Sequence, residues 1–456
     1  MLPHRENVHQ IGATEFTKCL LRGPPGYRFL ETLVTACGAT IIRDGLIGMA
    51  NALDLQWRSG APVPASRTLA DIQVFDDLSQ AEPFWRSLQA HGAASTPYQN
   101  FDFLTAWHHH VGAVRGVTPF VIVGFDAHTR PMCLLPLGIH GAGPFRRASF
   151  LGGKHANYNF GVWDRSAAAH ATADDLRFLL QRIAAAPQRP DLLTLYSQPR
   201  AWGGVDNPFL RLPHRQAPSN GASLVIDAPG NEVLEREVSA ATRGRLRSKE
   251  RKLQKLAGYR YFKATHPDEV DRLLNRFFAL KTAHMAAQGL PNVFAEDEVK
   301  AFVRSACHRG LDGGRPAVEL HGLEGGGELL ALFGALNDGQ SLSVMINTYT
   351  LSDNAKHSPG LILILQMIQM CADNGIRLFD LGAGDATYKS WFCKQPIHLF
   401  DSFLPLTPLG RLSAIGLDTA SAVKREVKNA PALWSAYRSL RRTLNSVAGE
   451  RPPRPD

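Results

Sequence analysis

Between residues 341 and 389 the alternation of apolar and polar positions changes period twice, and the rest of the chain is organised around that stretch. Residues 341–350 (SLSVMINTYT) are rich in hydroxyl and β-branched side chains and predict a strand. A polar break follows (SDNAKHSPG), with Ser358 placed to cap a helix and Pro359 at its first position. The next run, LILILQMIQMCADNG, is apolar nearly all round, which predicts a buried helix. Asn374-Gly375 stops it, and residues 376–381 return as a short, fully buried strand. The result is a β–α–β unit with small residues at the start of its helix.

The same patterning recurs upstream. Residues 101–111 predict an amphipathic helix, and 119–125 and 132–139 predict antiparallel strands about a D-A-H-T-R-P turn. Residues 147–151 lead to Gly152-Gly153 and the aromatic-polar segment 155–160. A helix over 174–185 and a buried strand over 191–196 follow. In the second half come helices over 270–287 and 296–307, a strand over 317–321, a glycine-rich turn and its mate over 329–336. The order repeats after roughly two hundred residues, which predicts two similar α/β domains with mixed sheets. The expected division is an N-terminal extension (1–66, with a short helix over 27–36 and a linker over 61–66), a first domain (67–235), a basic helix (236–258), a second domain (259–408) and a basic helical tail (409–456).

Length and composition narrow the class. A chain of 456 residues exceeds what one core usually serves, and 44% apolar with 20% charged residues describes an ordinary globular protein. Six scattered cysteines with no CxxC pair argue against a disulfide framework or a zinc ribbon and fit a reducing cytoplasm. The first ten residues lack a signal pattern, and the run 361–372 is far short of the ~20 residues of a membrane span, so a cytoplasmic protein is expected. The net charge of +9 is local: residues 243–255 hold seven basic side chains against one Glu. Such a helix is either a solvated face or a cradle for a polyanion, with Arg243 and Arg247 as contacts.

Chemistry concentrates at the central unit. A helix N-terminus presents unpaired N–H groups and a positive dipole end, and Pro359-Gly360 lets an anionic group come close. Asp380, Asp385, Tyr388 and Lys389 lie just beyond the carboxyl end of the second strand, where open α/β sheets place ligands. Asp380 or Asp385 could act as general base, and Lys389 could neutralise a phosphate or an oxyanion. In the first half, Tyr158 and Asn159 are candidates to line a cleft between domains. His108, His109 and His110 point in three directions along a helix, so no metal site is expected. No Ser-His-Asp order or nucleophile elbow is visible, which points to direct transfer without a covalent enzyme intermediate.

The sequence of a strand, S-P-G, an apolar helix, a strand and D-L-G-A-G-D-A-T-Y-K resembles the acyl-CoA-binding half of GNAT-type acyltransferases. More narrowly it resembles the CelD/BcsL branch, which is associated with bacterial cellulose and exopolysaccharide synthesis and related to the FemAB-like aminoacyl transferases. The resemblance covers about residues 97–405; the usual Q/R-x-x-G-x-G/A loop carries more glycines, of which Gly360 alone is present. It implies tandem GNAT folds, with Ser358, Pro359 and Gly360 holding the pyrophosphate of acetyl-CoA or another acyl-CoA. Backbone N–H groups of Met345, Ile346 and Asn347 would polarise the thioester, and Tyr388 would protonate the leaving thiolate. The implied acceptor is an amine or hydroxyl of a small molecule or saccharide precursor, with contact to a membrane or a polysaccharide synthase. The FemAB relation adds aminoacyl-tRNA as an alternative donor, and a non-catalytic binding module is the third reading.

Overall fold

Two mixed β-sheets carry the fold, and the apolar faces of their strands decide where the helices pack. The computed structural model describes residues 68–429 other than 142, 144 and 385. The chain runs through β1 (Asp71–Phe75), α1 (Leu78–Ala90), α2 (Phe101–Trp107), β2 (Thr118–Phe125), β3 (Pro131–His140), β4 (Arg147–Phe150) and β5 (Val162–Trp163). Next are α3 (Arg165–His170), α4 (Ala173–Ala185), β6 (Leu192–Pro199), the hairpin β7 (Ala201–Trp202) and β8 (Val205–Asp206), and β9 (Arg215–Gln216). Then follow β10 (Gly221–Val225), α5 (Gly230–Glu237), α6 (Ala240–Leu253), β11 (Arg260–Lys263), α7 (Pro267–Gln288) and α8 (Asp297–His308). The last group is β12 (Glu319–Gly325), β13 (Glu328–Asn337), β14 (Ser341–Tyr349), α9 (Pro359–Asp373), β15 (Leu378–Ala383), β16 (Pro396–Ile397), β17 (Leu399–Pro405) and α10 (Pro408–Asn429).

The first sheet has the order β1-β2-β3-β4-β6-β17-β9, with β5 beside β3; the second has the order β11-β12-β13-β14-β15-β10-β16. Each contains one parallel pair, β4 with β6 and β14 with β15, after a run of antiparallel strands. The α/β class with mixed sheets is therefore the fold the chain adopts, and the order read from the sequence recurs in space. The sheets do not divide at one point of the chain, however. β10 sits between β15 and β16, and β17 pairs antiparallel with β6.

Packing also crosses the halves. One core cluster joins Trp85, Phe103 and Phe120 to Phe277 and Phe302 of α7 and α8, with the Phe103 and Phe302 rings 5.3 Å apart. The second cluster surrounds α9, whose Ile362, Leu363, Ile364, Met367 and Ile368 are buried. The apolar run predicted that helix because no face of it could be left to water.

The helix expected over 101–111 is α-helical only to Trp107. Residues His108–Gly112 widen into a π turn, and Trp107 Nε1 donates to His155 Nδ1 at 3.0 Å. Cys133, Cys307, Cys371 and Cys393 are buried thiols without a disulfide. Among the described residues no helix is long and apolar enough to cross a membrane. The expectations for residues 27–36 and 61–66, and for the tail beyond 429, lie outside the described residues.

Candidate functional site

The site begins where two parallel strands part. β14 and β15 pair only from Ser341 with Leu378 to Ser343 with Asp380. Beyond that point β14 runs on to Tyr349 without β15 beside it, and the Val344 carbonyl accepts from Tyr98 Oη (3.0 Å) and Asn157 Nδ2 (3.1 Å) instead. Against β13, Gly334 pairs with Ile346 and Ala335 with Val344, so Met345 is the extra residue of a bulge. A bulge takes one residue out of the ladder and re-aims its backbone groups. Met345, Ile346 and Asn347 thus lie at the mouth of the splay.

The start of α9 lies beyond the end of β14. Ser358 takes a left-handed conformation (φ 54°), and its hydroxyl makes no capping bond to the helix, contrary to the sequence expectation. Lys249 Nζ of α6 donates to Ser358 Oγ at 2.7 Å instead, which turns the hydroxyl away from the helix N–H groups. His357 is held below its ordinary pKa by partial desolvation and then by the charges of Lys252, Lys356 and Lys249. A Cβ at Gly360 would meet only Tyr349, at 3.9 Å, within that neighbourhood. Space, positive charge and a helix N-terminus coincide there.

The cluster after β15 is split by burial. Asp380 is fully enclosed; its Oδ1 accepts from Tyr158 Oη and from the Gly382 N–H, both at 2.8 Å. Burial pushes its pKa up to about 6, against the pull of those two donors. Tyr388 is half-buried, and burial followed by the nearby Cys393 raises its hydroxyl above the usual tyrosine value, with a hydrogen bond to the Asn347 side chain opposing. Lys389 is buried, and its ammonium donates to the Gly382 and Ala383 carbonyls, both at 2.9 Å. Asp385 lies outside the described residues.

The remaining expected contacts are dispersed. Arg243 donates to the Leu234, Glu235 and Val238 carbonyls and so closes the C-terminal end of α5. Arg247 is exposed on α6. Tyr158 is buried against Asp380, and Asn159 is buried with its Nδ2 on the Tyr196 carbonyl at 2.9 Å. The structure joins Tyr388 to Asn347 by a hydrogen bond and sets Gly360 beside Tyr349 at the end of the same strand. It leaves Arg243, Tyr158, Asn159 and Lys389 holding the frame around them.

Two basic groups escaped the sequence reading. Lys281 of α7 donates to the Asn347 carbonyl at 3.2 Å, and desolvation lowers its pKa. His284, one turn on, is buried, with Nδ1 3.3 Å from Thr348 Oγ1. Its Nε2 has no partner among the described residues. A Lys and a His three apart on a helix are an ordinary surface pattern, so only their proximity to the end of β14 sets them apart.

Residues 240–390 match the model of the acetyltransferase (GNAT) domain family. The match covers about a third of the chain and marks that stretch as similar to a GNAT acetyltransferase domain. Within that stretch lie Lys249 of α6, the β14 bulge and the start of α9, whereas Tyr98 and Asn157, which bond the Val344 carbonyl, fall outside it. Among solved structures the chain is similar to FemX, at 12% identity and a TM-score of 0.52, covering 76% of this chain and 100% of that one. It is also similar to a conserved protein of unknown function from Bacteroides thetaiotaomicron VPI-5482, at 11% identity and a TM-score of 0.47 over 73% of this chain and 100% of that one. A tandem GNAT protein from the clavulanic acid biosynthesis pathway covers 74% of this chain and 99% of its own, at 12% identity and a TM-score of 0.39. No curated protein matches the chain. The FemX likeness is one of fold.

Proposed function

We propose that the chain transfers an acyl group, acetyl in the simplest case, from acyl-CoA to an amine or hydroxyl acceptor. The observation that carries this reading is that a bulge at Met345, midway along the splayed β14, is followed beyond the end of that strand by the lysine-flanked start of α9. A nucleotide diphosphate laid on α9 would face Lys249 and the helix N–H groups. Its thioester would reach the bulge, whose backbone N–H groups would stabilise an oxyanion. Tyr388, kept protonated by burial, would give its proton to the departing sulfur. The CelD/BcsL resemblance makes a saccharide precursor the acceptor to try first, in cellulose or exopolysaccharide synthesis, beside a membrane or a polysaccharide synthase.

The test is calorimetric titration of the full chain with acetyl-CoA, beside a Gly360→Glu variant. A Cβ is accommodated there, and the new carboxylate would repel phosphate. Micromolar binding by the parent that falls at least tenfold in the variant supports the reading. Silence toward both acetyl-CoA and longer acyl-CoAs overturns it.

A second reading has its own observation. Arg245, Arg247, Arg251, Lys252 and Lys255 of α6 and its end are exposed, a basic face large enough for a nucleic acid. Together with the FemX-like fold it favours an aminoacyl-tRNA donor. Binding of tRNA that weakens steeply with salt would select this reading over acyl-CoA.

A further inference from the structure

We propose that Lys281 is the proton acceptor for the group that attacks the acyl carbon. The inference rests on the acyltransferase reading above.

Among the described residues the alternative candidates fail on geometry. Asp380 is sealed beneath Tyr158 and the Gly382 N–H, with no exposed surface from which to meet an acceptor. Lys389 is bound to two carbonyls. Lys281 instead stands half-buried at the edge of β14, where its ammonium touches the Asn347 carbonyl and forms no ion pair among the described residues. A helix packed on a sheet gains nothing from a desolvated cation with one neutral partner, and an apolar side chain would fill that joint better. The titratable neighbour it influences is His284 on its own helix, and burial alone lowers the lysine's affinity for its proton, with no carboxylate opposing. His284 adds a second buried basic group, with an unpartnered Nε2, on the same side of α7.

Asn347 ties this base to the acid. Its carbonyl accepts from Lys281 while its side chain holds Tyr388, two residues from the bulge. In the transfer, the acceptor nitrogen or oxygen forms a bond to the acyl carbon and its proton passes to neutral Lys281 Nζ. The carbon–sulfur bond breaks, and the sulfur takes the Tyr388 proton. Exchange with water then resets ammonium and tyrosinate, so protons and charge balance.

The test reads the lysine itself. The full chain is pulse-labelled with limiting acetic anhydride from pH 6 to 11, with and without saturating acetyl-CoA, and acetylation is resolved by peptide mass spectrometry. Lys281 should label at a lower pH midpoint than the exposed lysines of the chain, and acetyl-CoA should suppress its labelling at least tenfold. A Lys281→Met variant should keep acetyl-CoA affinity within twofold and lose transfer to amine acceptors by about 10²–10⁴-fold. The inference is overturned if Lys281 titrates with the other lysines, if it labels equally in bound protein, or if it never labels. Absence of acetyl-CoA binding in the calorimeter would instead reject the acyltransferase reading itself.

Discussion

Tyr158 Oη donates to Asp380 Oδ1 at 2.8 Å, joining positions 222 residues apart in the chain. The contact fixes the first half of the protein against the strand that bounds the splay. It also leaves a carboxyl group in a place where its charge is disfavoured, which has a measurable signature.

Asp380 has a folded pKa of about 6, above the ordinary 3.8. The native state therefore binds more protons than the unfolded chain between those values, and stability falls as pH rises through that window. The cost is on the order of 3 kcal/mol and is complete above pH 6. An Asp380→Asn variant keeps an acceptor for Tyr158 and Gly382 and sets an amide beside Ser343, its register partner. Thermal unfolding between pH 4 and 8 should show a flatter profile and, at pH 7, a gain of about 1–3 kcal/mol over the parent. A loss at pH 7 would contradict it.

Tyr158→Phe should act in the opposite direction. Removing the hydroxyl leaves the enclosed carboxylate with one donor fewer, at a cost of about 1–3 kcal/mol. Denaturant unfolding at pH 7 checks the size, and the deficit should shrink toward pH 4 as the carboxyl takes up its proton.

Gly382 has φ 79°, and a Cβ there would collide with the Asn157 amide. Gly382→Ala combines left-handed strain with loss of that close approach. A destabilisation of about 2–4 kcal/mol is expected from chemical unfolding.

Lys249→Glu tests the anion site without disturbing the core. Lys249 meets Ser358 at the mouth of α9, so charge reversal should weaken acetyl-CoA binding at least tenfold. Calorimetry at two salt concentrations should show a smaller penalty at the higher one. Tyr388→Phe should instead leave binding alone and slow thiol release about 10²-fold or more.

Much of the frame could be read from the chain. The S-P-G break, the all-apolar helix and the short strand after Asn374-Gly375 correspond to β14, α9 and β15 because each has a distinct period. The places of Arg243, Tyr158 and Lys389 were not legible. Charge and aromaticity mark a side chain as capable of binding, but its partners are set by the fold: Tyr158 meets a residue on β15, and Lys389 bends back to the end of that strand. Lys281 and His284 were overlooked for the converse reason, since nothing local separates them from solvated helix residues. Gly221–Val225 and Leu399–Pro405 carry no strand expectation from the sequence, and no local pattern names the sheet a strand will join.

That last point bears on how the protein could be dissected. The stretch 240–390 omits β10, which lies between β15 and β16, and stops before β17, which closes against β6. Expressed alone, it would present β15 as a raw edge of unpaired N–H and C=O groups, a template for self-association. Two fragments divided near residue 235 would each lack a strand that the other carries, so they should regain solubility only when produced together. The second sheet is thus a cooperative product of both, and recombination that trades one half for a foreign one must also trade its borrowed strand.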